Sequence, residues 1–451
     1  MKPIAFQLTD VQVYQRPVTL RLPFRFGAAT VTACPQAFAK VTLNIDGVEW
    51  HGASAELMVP KWFDKSPQRT QDDNFDQLRL CILKARAAYL AAGSAQSAYA
   101  LSEASTELVI DQMLVQGHPR LVGQFGPALL DKAIADAVLR SQNHSWVSGV
   151  GQGLLGDPWS GLLKLHEAKS VWLRHTVGLA DRLTDDEPVT AVEDGLPNSL
   201  MQAIEDYGLQ YFKLKVGGVL DADIERLIQI EAVLSRVKDY KVTLDGNETF
   251  QNVESLSTFV NALTKHAATK RLLERTLLIE QPLPRAIALD EHIPPMPLNI
   301  PVILDESDDH PDVLAKGLAL GYRGISSKAC KGIYRSLRSA WLVQQSPQCL
   351  LSGEDLTCQA GLGVQQDTLL ATSLGVQHIE RNGHHYVKGF GVAPKQESLE
   401  FENAHPDLYT SSNAGVHLNV QQGQINIASL HQVGFGHQAW PDWQSLESIS
   451  V

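Results

Sequence analysis

Lysines and acids with a regular spacing mark the middle of the chain. Lys213 and Lys215 end a short apolar run. Later apolar runs end in acids, which are Asp245, Glu280 and Asp305. Because side chains alternate along a strand, the two lysines point to the same side. Burying two ammonium groups on one strand face is costly unless a carboxylate or a substrate anion meets them. The pattern therefore predicts a divalent-metal site beside two amine bases, a chemistry suited to removing a proton next to a carboxylate.

A further lysine, Lys328, follows the three acids. The steps from Lys215 onward are 30, 35, 25 and 23 residues, each close to the length of one strand plus one helix. In a parallel barrel of strands and helices, the active site lies at the carboxyl ends of the strands. A single charge after a strand is often a helix cap, whereas an ordered series on five successive strands favours one shared site.

Residues 1–150 are predicted to form an α+β domain. The first 50 residues alternate between apolar and polar positions, as half-buried strands do, and Asp46-Gly47 marks a tight hairpin turn. Helical periodicity then dominates, with clear patterns over 76–92 and 127–139.

Residues 168–390 are predicted to form a parallel barrel, because short apolar runs alternate there with amphipathic helical patterns. The candidate strands are 171–177, 211–216, 241–244, 277–279, 302–304, 324–327, 349–352 and 376–379. The candidate helices are 199–207, 222–237, 253–265, 311–320, 334–345 and 359–374. The last stretch, 391–451, is polar and is expected to pack back on the first domain.

Composition excludes several classes of protein. At 451 residues and 44% hydrophobic content, the chain suits a large barrel plus a second domain. A net charge of −12 without a basic stripe argues against nucleic acid as a partner, and the lack of an 18-residue apolar run argues against a membrane span. Five cysteines without CxxC spacing, and an N-terminus without a signal-peptide core, predict a reduced, cytoplasmic protein. The sequence leaves open whether the protein forms a homo-oligomer.

Five short motifs resemble those of the enolase superfamily, specifically its muconate-lactonizing-enzyme subgroup. They are the lysine pair in 212–218, the acid motifs in 243–247, 278–283 and 303–307, and the lysine motif in 327–332. One such motif would be weak support, but five in order at barrel spacing are strong. The resemblance implies a modified (β/α)7β TIM-type barrel with an α+β capping domain built from both termini.

The resemblance also implies a chemistry. The implied ligands of Mg²⁺, with Mn²⁺ as the alternative, are Asp245, Glu280 and Asp305. Hard cations prefer such carboxylate oxygens. The metal would hold the carboxylate of a small-molecule substrate and offset the charge of the enediolate formed as the α-proton leaves. Lys215 would be the base, beside Lys213, and Lys328 would be the acid or second base across the barrel.

Five further residues lie within these motifs or at the end of the seventh strand. Asn247 and Glu306 are expected to support the metal ligands rather than bind the metal. Lys331 either begins the sixth helix or reaches the site. Glu354 and Asp355 end the seventh strand, where a substrate-facing role is open.

Two segments of the first domain resemble the specificity loops of the superfamily. One contains Phe24, Arg25 and Phe26, and the other contains Lys61 and Trp62. Arg25 or Lys61 is expected to meet a distal anion, and the aromatic rings to pack on an apolar part of the substrate. The alternative is that the rings fill the interface between the domains.

Several outcomes stay open. Paired lysines suit racemisation or epimerisation, and equally syn-elimination or cycloisomerisation. An acid-sugar dehydratase of the mandelate-racemase type would need a histidine base on the seventh strand, and 349–355 contains none. A non-catalytic binder that retains the fold is the third reading. His384-His385 is expected to face solvent or cap an element, and the acidic insert 184–195 has no counterpart in the resemblance.

Overall fold

The N-terminal part of the chain is an antiparallel sheet with helices packed against it. A computed structural model of the protein describes residues 2–27, 29–187, 191–356 and 359–450. The strands here are β1 Phe6–Phe26, β2 Ala29–Ile45, β3 Val48–Leu57 and β4 Ser94–Ala95. The helices are α1 Gln71–Ala92, α2 Ala98–Leu114, α3 Arg120–Ser141 and α4 Trp146–Gly151. The long helix α3 is almost wholly buried, because it packs on β2 and β3 and also against α1 and α2.

The predicted hairpin turn between β2 and β3 is confirmed. Ile45 pairs with Val48, which leaves Asp46 and Gly47 as the two turn residues. Both have positive φ, 52° and 82°, as the favoured two-residue hairpin turn requires.

The middle of the chain is a ring of parallel strands. They are β5 Ser170–Val177, β6 Tyr211–Lys215, β7 Lys241–Asp245, β8 Thr276–Glu280, β9 Val302–Ile303, β10 Gly324–Ser327, β11 Leu350–Gly353 and β12 His378–Glu380. From β5 to β9 and from β10 to β12 each strand pairs with the next along the chain, and β12 pairs with β5. A parallel bridge from Leu304 to Ile325 closes the ring between β9 and β10. The predicted TIM-type barrel with an α+β cap is therefore confirmed.

Helices connect most of the barrel strands on the outside. They are α5 Leu200–Tyr207, α6 Leu220–Leu234, α7 Val253–Leu263, α8 Ala267–Glu274, α9 Val313–Ala319, α10 Ile333–Gln344 and α11 Leu362–Ser373. Between β8 and β9 the described chain holds a 3₁₀ turn, Pro297–Asn299, in place of an α-helix. Proline, which lacks an N–H and clashes with the preceding turn, recurs throughout this connection.

The C-terminal stretch touches both layers of the molecule. It contains α12 Lys395–Ala404, β13 Tyr409–Ser412, β14 Gly415–Leu418, β15 Val420–Gln421, β16 Gln424–Asn426 and β17 Glu447–Ser448. β17 pairs with β1 of the N-terminal sheet, whereas β16 pairs antiparallel with barrel strand β5. The segment thus ties the barrel to the N-terminal sheet.

No helix among the described residues is both long and apolar enough to cross a membrane. Four described cysteines, Cys34, Cys81, Cys330 and Cys349, carry free thiols. Cys358 lies outside the described residues.

Candidate active site

Lys213 lies at the centre of a ring of carboxylates at the barrel mouth. It sits on β6, buried, one strand away from Asp245 at the end of β7. Its Nζ lies 2.9 Å from Asp245 Oδ2, 2.7 Å from Glu280 Oε2 and 3.0 Å from Glu380 Oε2. Glu354 Oε2 is a fourth acceptor, at 2.5 Å. The structure therefore brings the predicted lysine, two predicted acids and Glu354 together.

Two members of this network were missed by the sequence reasoning. Glu380 ends β12 and accepts hydrogen bonds from Thr176 Oγ1 and the Asp355 backbone N–H. Arg174 is fully buried on β5 and pairs with Glu354. The sequence does contain a signal for Glu380, since this acid follows an apolar run as the predicted acids do. Arg174 is a charge inside a predicted strand.

The other two predicted lysines each pair with one acid. Lys215 Nζ lies 2.5 Å from Asp245 Oδ2, and Lys328 Nζ lies 2.5 Å from Asp305 Oδ2. β6, which carries Lys215, is four strands away from β10, which precedes Lys328, in a ring of eight. The two lysines therefore approach the mouth from opposite sides.

Lys331 also reaches this region rather than solvent. Its Nζ donates to Ser326 O at 2.8 Å, lies 3.0 Å from Asp308 Oδ2, and lies 3.5 Å from Asp305 Oδ1. Lys331 thus lies near Asp305 Oδ1, whereas Lys328 pairs with Asp305 Oδ2.

The lysine charges keep two of the acids, Asp245 and Asp305, ionised. Burial alone would raise the pKa of Asp245, but the charges of Lys213 and Lys215 outweigh it and hold that pKa below its ordinary value. Lys328 and Lys331 likewise overcome burial and hold the pKa of Asp305 far below its ordinary value. Both carboxylates are anionic at neutral pH.

Glu280 behaves differently from its neighbours. Burial first, and then repulsion by Asp245 and Glu354, raise the pKa of its carboxyl well above the ordinary value. Neither buried oxygen of Glu280 has a hydrogen-bond partner among the described residues, although Lys213 approaches one of them. Additional positive charge is what this carboxylate lacks.

The acids fit a hard divalent cation by chemistry. Asp245, Glu280 and Asp305 offer carboxylate oxygens on three consecutive strand ends, which is the donor type that Mg²⁺ prefers. Across the described ranges no three His, Cys, Asp or Glu side chains form a ready metal cage. At the barrel mouth, the Lys213 ammonium group contacts both Asp245 and Glu280, while Lys215 and Lys328 each contact one acid.

Asn247 and Glu306 lie beside these acids and contact each other. Asn247 Nδ2 donates to Glu306 Oε1 at 3.1 Å, and the Asn247 backbone N–H donates to Asp245 Oδ1 at 2.8 Å. Asn247 Oδ1 and Glu306 Oε2 are buried without a hydrogen-bond partner in the described structure. Asp355 lies on the other side, where its Oδ2 accepts from the Asn382 backbone N–H.

A cavity lies between the N-terminal sheet and the lysines. Its described lining from the N-terminal part is Leu20, Phe24, Phe26, Val31, Cys34, Leu57, Val59 and Trp62. Its described lining from the barrel is Lys213, Lys215, Asn247, Lys328, Asp355, Leu356 and Glu380. The Lys215 ammonium lies 5.8 Å from the rings of Phe24 and Phe26, and that of Lys328 lies 4.5 Å from the ring of Trp62. One wall is apolar and the other is charged.

Two expectations for this wall are corrected. Arg25 is exposed and outside the described lining, because its strand alternation turns Phe24 and Phe26 inward instead. Lys61 is also outside the lining, since its Nζ donates to the carbonyls of Ser66 and Arg69. Neither cation is placed to meet a distal anion.

The expectation for His384-His385 is wrong as well. Both imidazoles are buried, with 3% and 2% exposure. His384 Nε2 lies 2.8 Å from His175 Nδ1, and Arg21 Nη1 donates to His385 O. Burial, together with the neighbouring His175, lowers the pKa of both imidazoles well below the ordinary value. The chain after β12 passes beneath β1, which removes these side chains from solvent.

Barrel residues hold the aromatic segments in place. Arg285, in the connection after β8, donates to the carbonyls of Trp62 and Phe63 at 2.9 and 3.1 Å and pairs with Glu248. Arg21 pairs with Asp194 of the acidic insert. Of that insert, residues 188–190 lie outside the described chain.

Solved structures of enolase-superfamily proteins share this fold over almost the whole chain. A dipeptide epimerase from Cytophaga hutchinsonii, complexed with Mg and D-Ala-L-Val, has a TM-score of 0.61 at 15% identity, covering 98% of this chain and 99% of that one. A muconate lactonizing enzyme from Mycobacterium smegmatis, complexed with muconolactone, has a TM-score of 0.61 at 17% identity, covering 98% of each chain. A dipeptide epimerase from Enterococcus faecalis, complexed with Mg and L-Leu-L-Tyr, has a TM-score of 0.60 at 16% identity, covering 95% and 99%.

No protein-family model and no curated protein sequence matches the chain. The resemblance to the enolase superfamily is confirmed at the level of the fold. At such low identity, what the chain does has to be argued from its own site.

Proposed function

We propose that the protein is an enzyme that removes the α-proton of a small carboxylate with the help of a bound Mg²⁺ ion. The observation that carries this proposal is a pair of buried lysines on opposite sides of the barrel mouth, Lys215 and Lys328. Between them lies Glu280, whose buried oxygens lack hydrogen-bond partners in the described structure. An amine base and a second amine across the substrate are what proton removal and return require.

The metal would be held by Asp245, Glu280 and Asp305. When bound, the cation supplies positive charge that offsets the charge developing on the substrate carboxylate as the proton leaves. Asp245 and Asp305 pair with the Lys215 and Lys328 ammonium groups, and as metal ligands they would stabilise those charged forms less. As a neutral amine, Lys215 would take the α-proton from one face and become an ammonium group. Lys328, as an ammonium group, would donate a proton on the other face, and in the reverse direction the two roles would be exchanged.

Lys213 has a different task in this proposal. Four carboxylates surround its ammonium group, and together they overcome the effect of burial and raise its pKa well above the ordinary value. Lys213 therefore stays charged and holds the acids in position instead of moving protons.

The apolar wall supports a substrate whose non-reacting part is apolar and uncharged. The eight lining side chains that the N-terminal part contributes are hydrocarbon, aromatic or thiol groups. An acid sugar would leave its hydroxyl groups unpaired against this wall, which costs binding energy. The described lining also contains no histidine, so the dehydratase alternative is disfavoured.

The division of labour follows three segments. Residues 168–390 carry the chemistry, whereas 1–150 provide the substrate wall and 391–451 join the two layers. We leave epimerisation and syn-elimination as the two outcomes, because both use the same pair of lysines.

Solvent exchange tests the proposal without knowledge of the product. The protein would be incubated in D₂O with Mg²⁺ and a panel of carboxylates, namely N-acyl amino acids, apolar dipeptides, aryl-substituted succinates and acid sugars. Loss of the α-proton NMR signal is expected for the apolar members and not for acid sugars. Exchange confined to acid sugars, or exchange with no panel member, would contradict the proposal.

A further inference from the structure

A second cavity lies between the cap helices and the barrel, apart from the barrel mouth. Its walls come from α2 and α3 on one side and from the start of α10 on the other. Its volume is about 340 Å³. This is within the usual size range for small-molecule sites.

Charge is divided across this cavity. The acids that line it in the described structure come from α2 and α3, and they are Glu103, Glu107 and Asp131. The bases come from the barrel, and they are Lys331, Arg335 and Arg338. The cavity is therefore dipolar, negative toward the cap and positive toward the barrel.

Buried polar atoms without partners belong to residues on both walls of this cavity. On the cap side, Gln124 is 2% exposed, and its Oε1 accepts no hydrogen bond from any described residue. On the barrel side, the Tyr334 hydroxyl and Arg335 Nε also lack partners there, and Tyr334 is 7% exposed. Leaving such groups unpaired is costly, and most buried polar groups in proteins are paired.

Asp131 is a further hydrogen-bond acceptor on the cap side of the cavity, and it has no cationic partner among the described residues. Its carboxyl is 5% exposed and accepts hydrogen bonds from Tyr89 and Ser102 hydroxyls at 2.8 and 2.7 Å. No described lysine, arginine or histidine forms an ion pair with it. Asp131 lies seven residues after Gln124 on α3, which is two helical turns, so both face the cavity from one side.

Aromatic rings form the remaining wall. Tyr99 packs edge-on against Trp159 at 5.6 Å and against Tyr334 at 5.1 Å between ring centroids. Such a wall suits the apolar side chain of a ligand and also an ammonium group over a ring face.

We propose that this cavity is a second binding site for a zwitterionic amino acid with an apolar or aromatic side chain. The ammonium group donates to Asp131 and Gln124 Oε1 on the cap side. The carboxylate accepts from Arg335 Nε and the Tyr334 hydroxyl on the barrel side. The side chain lies along Tyr99 and Trp159. Each orphaned atom and both signs of charge then have a partner.

Such a ligand would join the cap to the barrel. Arg335 pairs with Asp308 at 3.3 Å, and Asp308 also pairs with Lys331 at 3.0 Å. Lys331 in turn contacts Asp305 at the barrel mouth. Three successive ion pairs therefore link Arg335, which lines the second cavity, to Asp305 of the candidate metal site.

Calorimetry with L-phenylalanine tests this inference, with phenethylamine and 3-phenylpropionate as probes that each lack one charge. We expect one phenylalanine to bind in the second cavity, and each single-charge probe to bind at least about tenfold more weakly. The decisive variant is Tyr334→Phe, which removes a hydroxyl without a partner and keeps the ring. Its affinity for phenylalanine should fall about tenfold while its thermal stability stays unchanged.

Tyr14→Phe, a partly exposed position on β1, is the matched control and should keep full affinity. Unchanged affinity in Tyr334→Phe would overturn the inference. Equal binding of either single-charge probe, or no binding of phenylalanine at millimolar concentration, would do the same.

Discussion

At the scale of single residues, Glu280 is the most telling side chain of the barrel mouth. It is a fully buried carboxyl with other acids around it and without hydrogen bonds from the described residues. Such a group costs stability, because the single Lys213 ammonium group that it contacts is shared with three other acids. In the proposed function, the Glu280 carboxylate is there to bind the metal ion.

The first prediction follows from this position. Glu280→Gln keeps the shape of the side chain and removes the charge, so we expect Mg²⁺ affinity to fall by at least about tenfold. Isothermal titration calorimetry with Mg²⁺ measures the loss. Glu447→Gln, at an exposed position on β17, serves as the control and should bind as the unmodified protein does. Equal Mg²⁺ affinity in both variants would remove Glu280 from the metal site.

Sequence reasoning located the charged residues well and their partners less well. Lys213, Asp245 and Glu280 were found because each ends a strand, and strand ends converge in a barrel. Arg174 was missed because its partner Glu354 lies 180 residues away, and only the closed ring brings β5 near β11. Arg25 was misplaced because its segment was compared with a specificity loop, whereas it ends strand β1, where alternation turns Arg25 away from the side of Phe24 and Phe26.

At the scale of elements, the connection after β8 fixes the position of the Trp62 segment. Arg285 binds two carbonyls of that segment and the Glu248 carboxylate, and Lys65 from the segment pairs with Glu248 at 2.6 Å. The pKa of Glu248 shows the strength of the pairing. Burial would raise it, but Arg285 and Lys65 lower it to about 2.

The second prediction concerns this tether. Arg285→Ala removes both hydrogen bonds to the segment, so amide hydrogen exchange over 52–64 should become about tenfold faster or more. Turnover should also show a raised KM, because Trp62 lines the substrate cavity. Arg271→Ala is the control, since Arg271 is largely exposed and far from the segment in the fold. Unchanged exchange over 52–64 would mean that other contacts hold the segment.

The third prediction concerns Asp136, which joins α3 to β3 and to the C-terminal segment. Its carboxylate accepts from the Ala53 and Phe435 backbone N–H groups and pairs with Arg140 and His437. Burial would raise its pKa, but His437 and Arg140 outweigh burial and lower it from 3.8 to about 2. A lowered pKa contributes stability above the unfolded value that is lost as pH falls from about 4 to about 2.

Asp136→Asn should therefore cost about 2 kcal/mol more at pH 7 than at the acid end of this window. Urea unfolding at pH 7 and pH 3 measures how the difference narrows. Asp76→Asn, an exposed position paired only within α1 among the described residues, should stay within about 0.5 kcal/mol at both pH values. A cost for Asp136→Asn that does not change with pH would show that geometry, and not charge, is what matters there.

The elements themselves were largely predictable. All eight barrel strands were expected near their observed positions, because apolar runs between helical patterns leave few alternatives. The pairing of β16 with β5 was not expected. A short polar strand carries no signal for its distant partner, which is the start of β5 at Ser170–Trp172, before the residues that pair with β6.

At the scale of the whole molecule, two layers meet over one charged centre. The N-terminal sheet brings an apolar wall, the barrel brings the lysines and acids, and β16, β17 and the Asp136 network fasten the layers together. Our central claim is that Lys215 and Lys328 act on opposite faces of one α-carbon, with Lys215 as a base and Lys328 either as a second base or as a positive charge beside the intermediate.

Exchange with single enantiomers in D₂O tests that claim most directly. With a substrate found in the carboxylate panel, the unmodified protein should exchange the α-proton. Lys215→Ala should lose roughly 10²–10⁴-fold of exchange on one enantiomer. In an epimerase, Lys328→Ala should lose exchange on the opposite enantiomer and keep it through Lys215. In a syn-elimination enzyme, only Lys215→Ala should abolish exchange.

Lys241→Ala, at the opposite end of β7, is the control and should exchange normally. Full exchange by both Lys215→Ala and Lys328→Ala, on either enantiomer, would contradict the account.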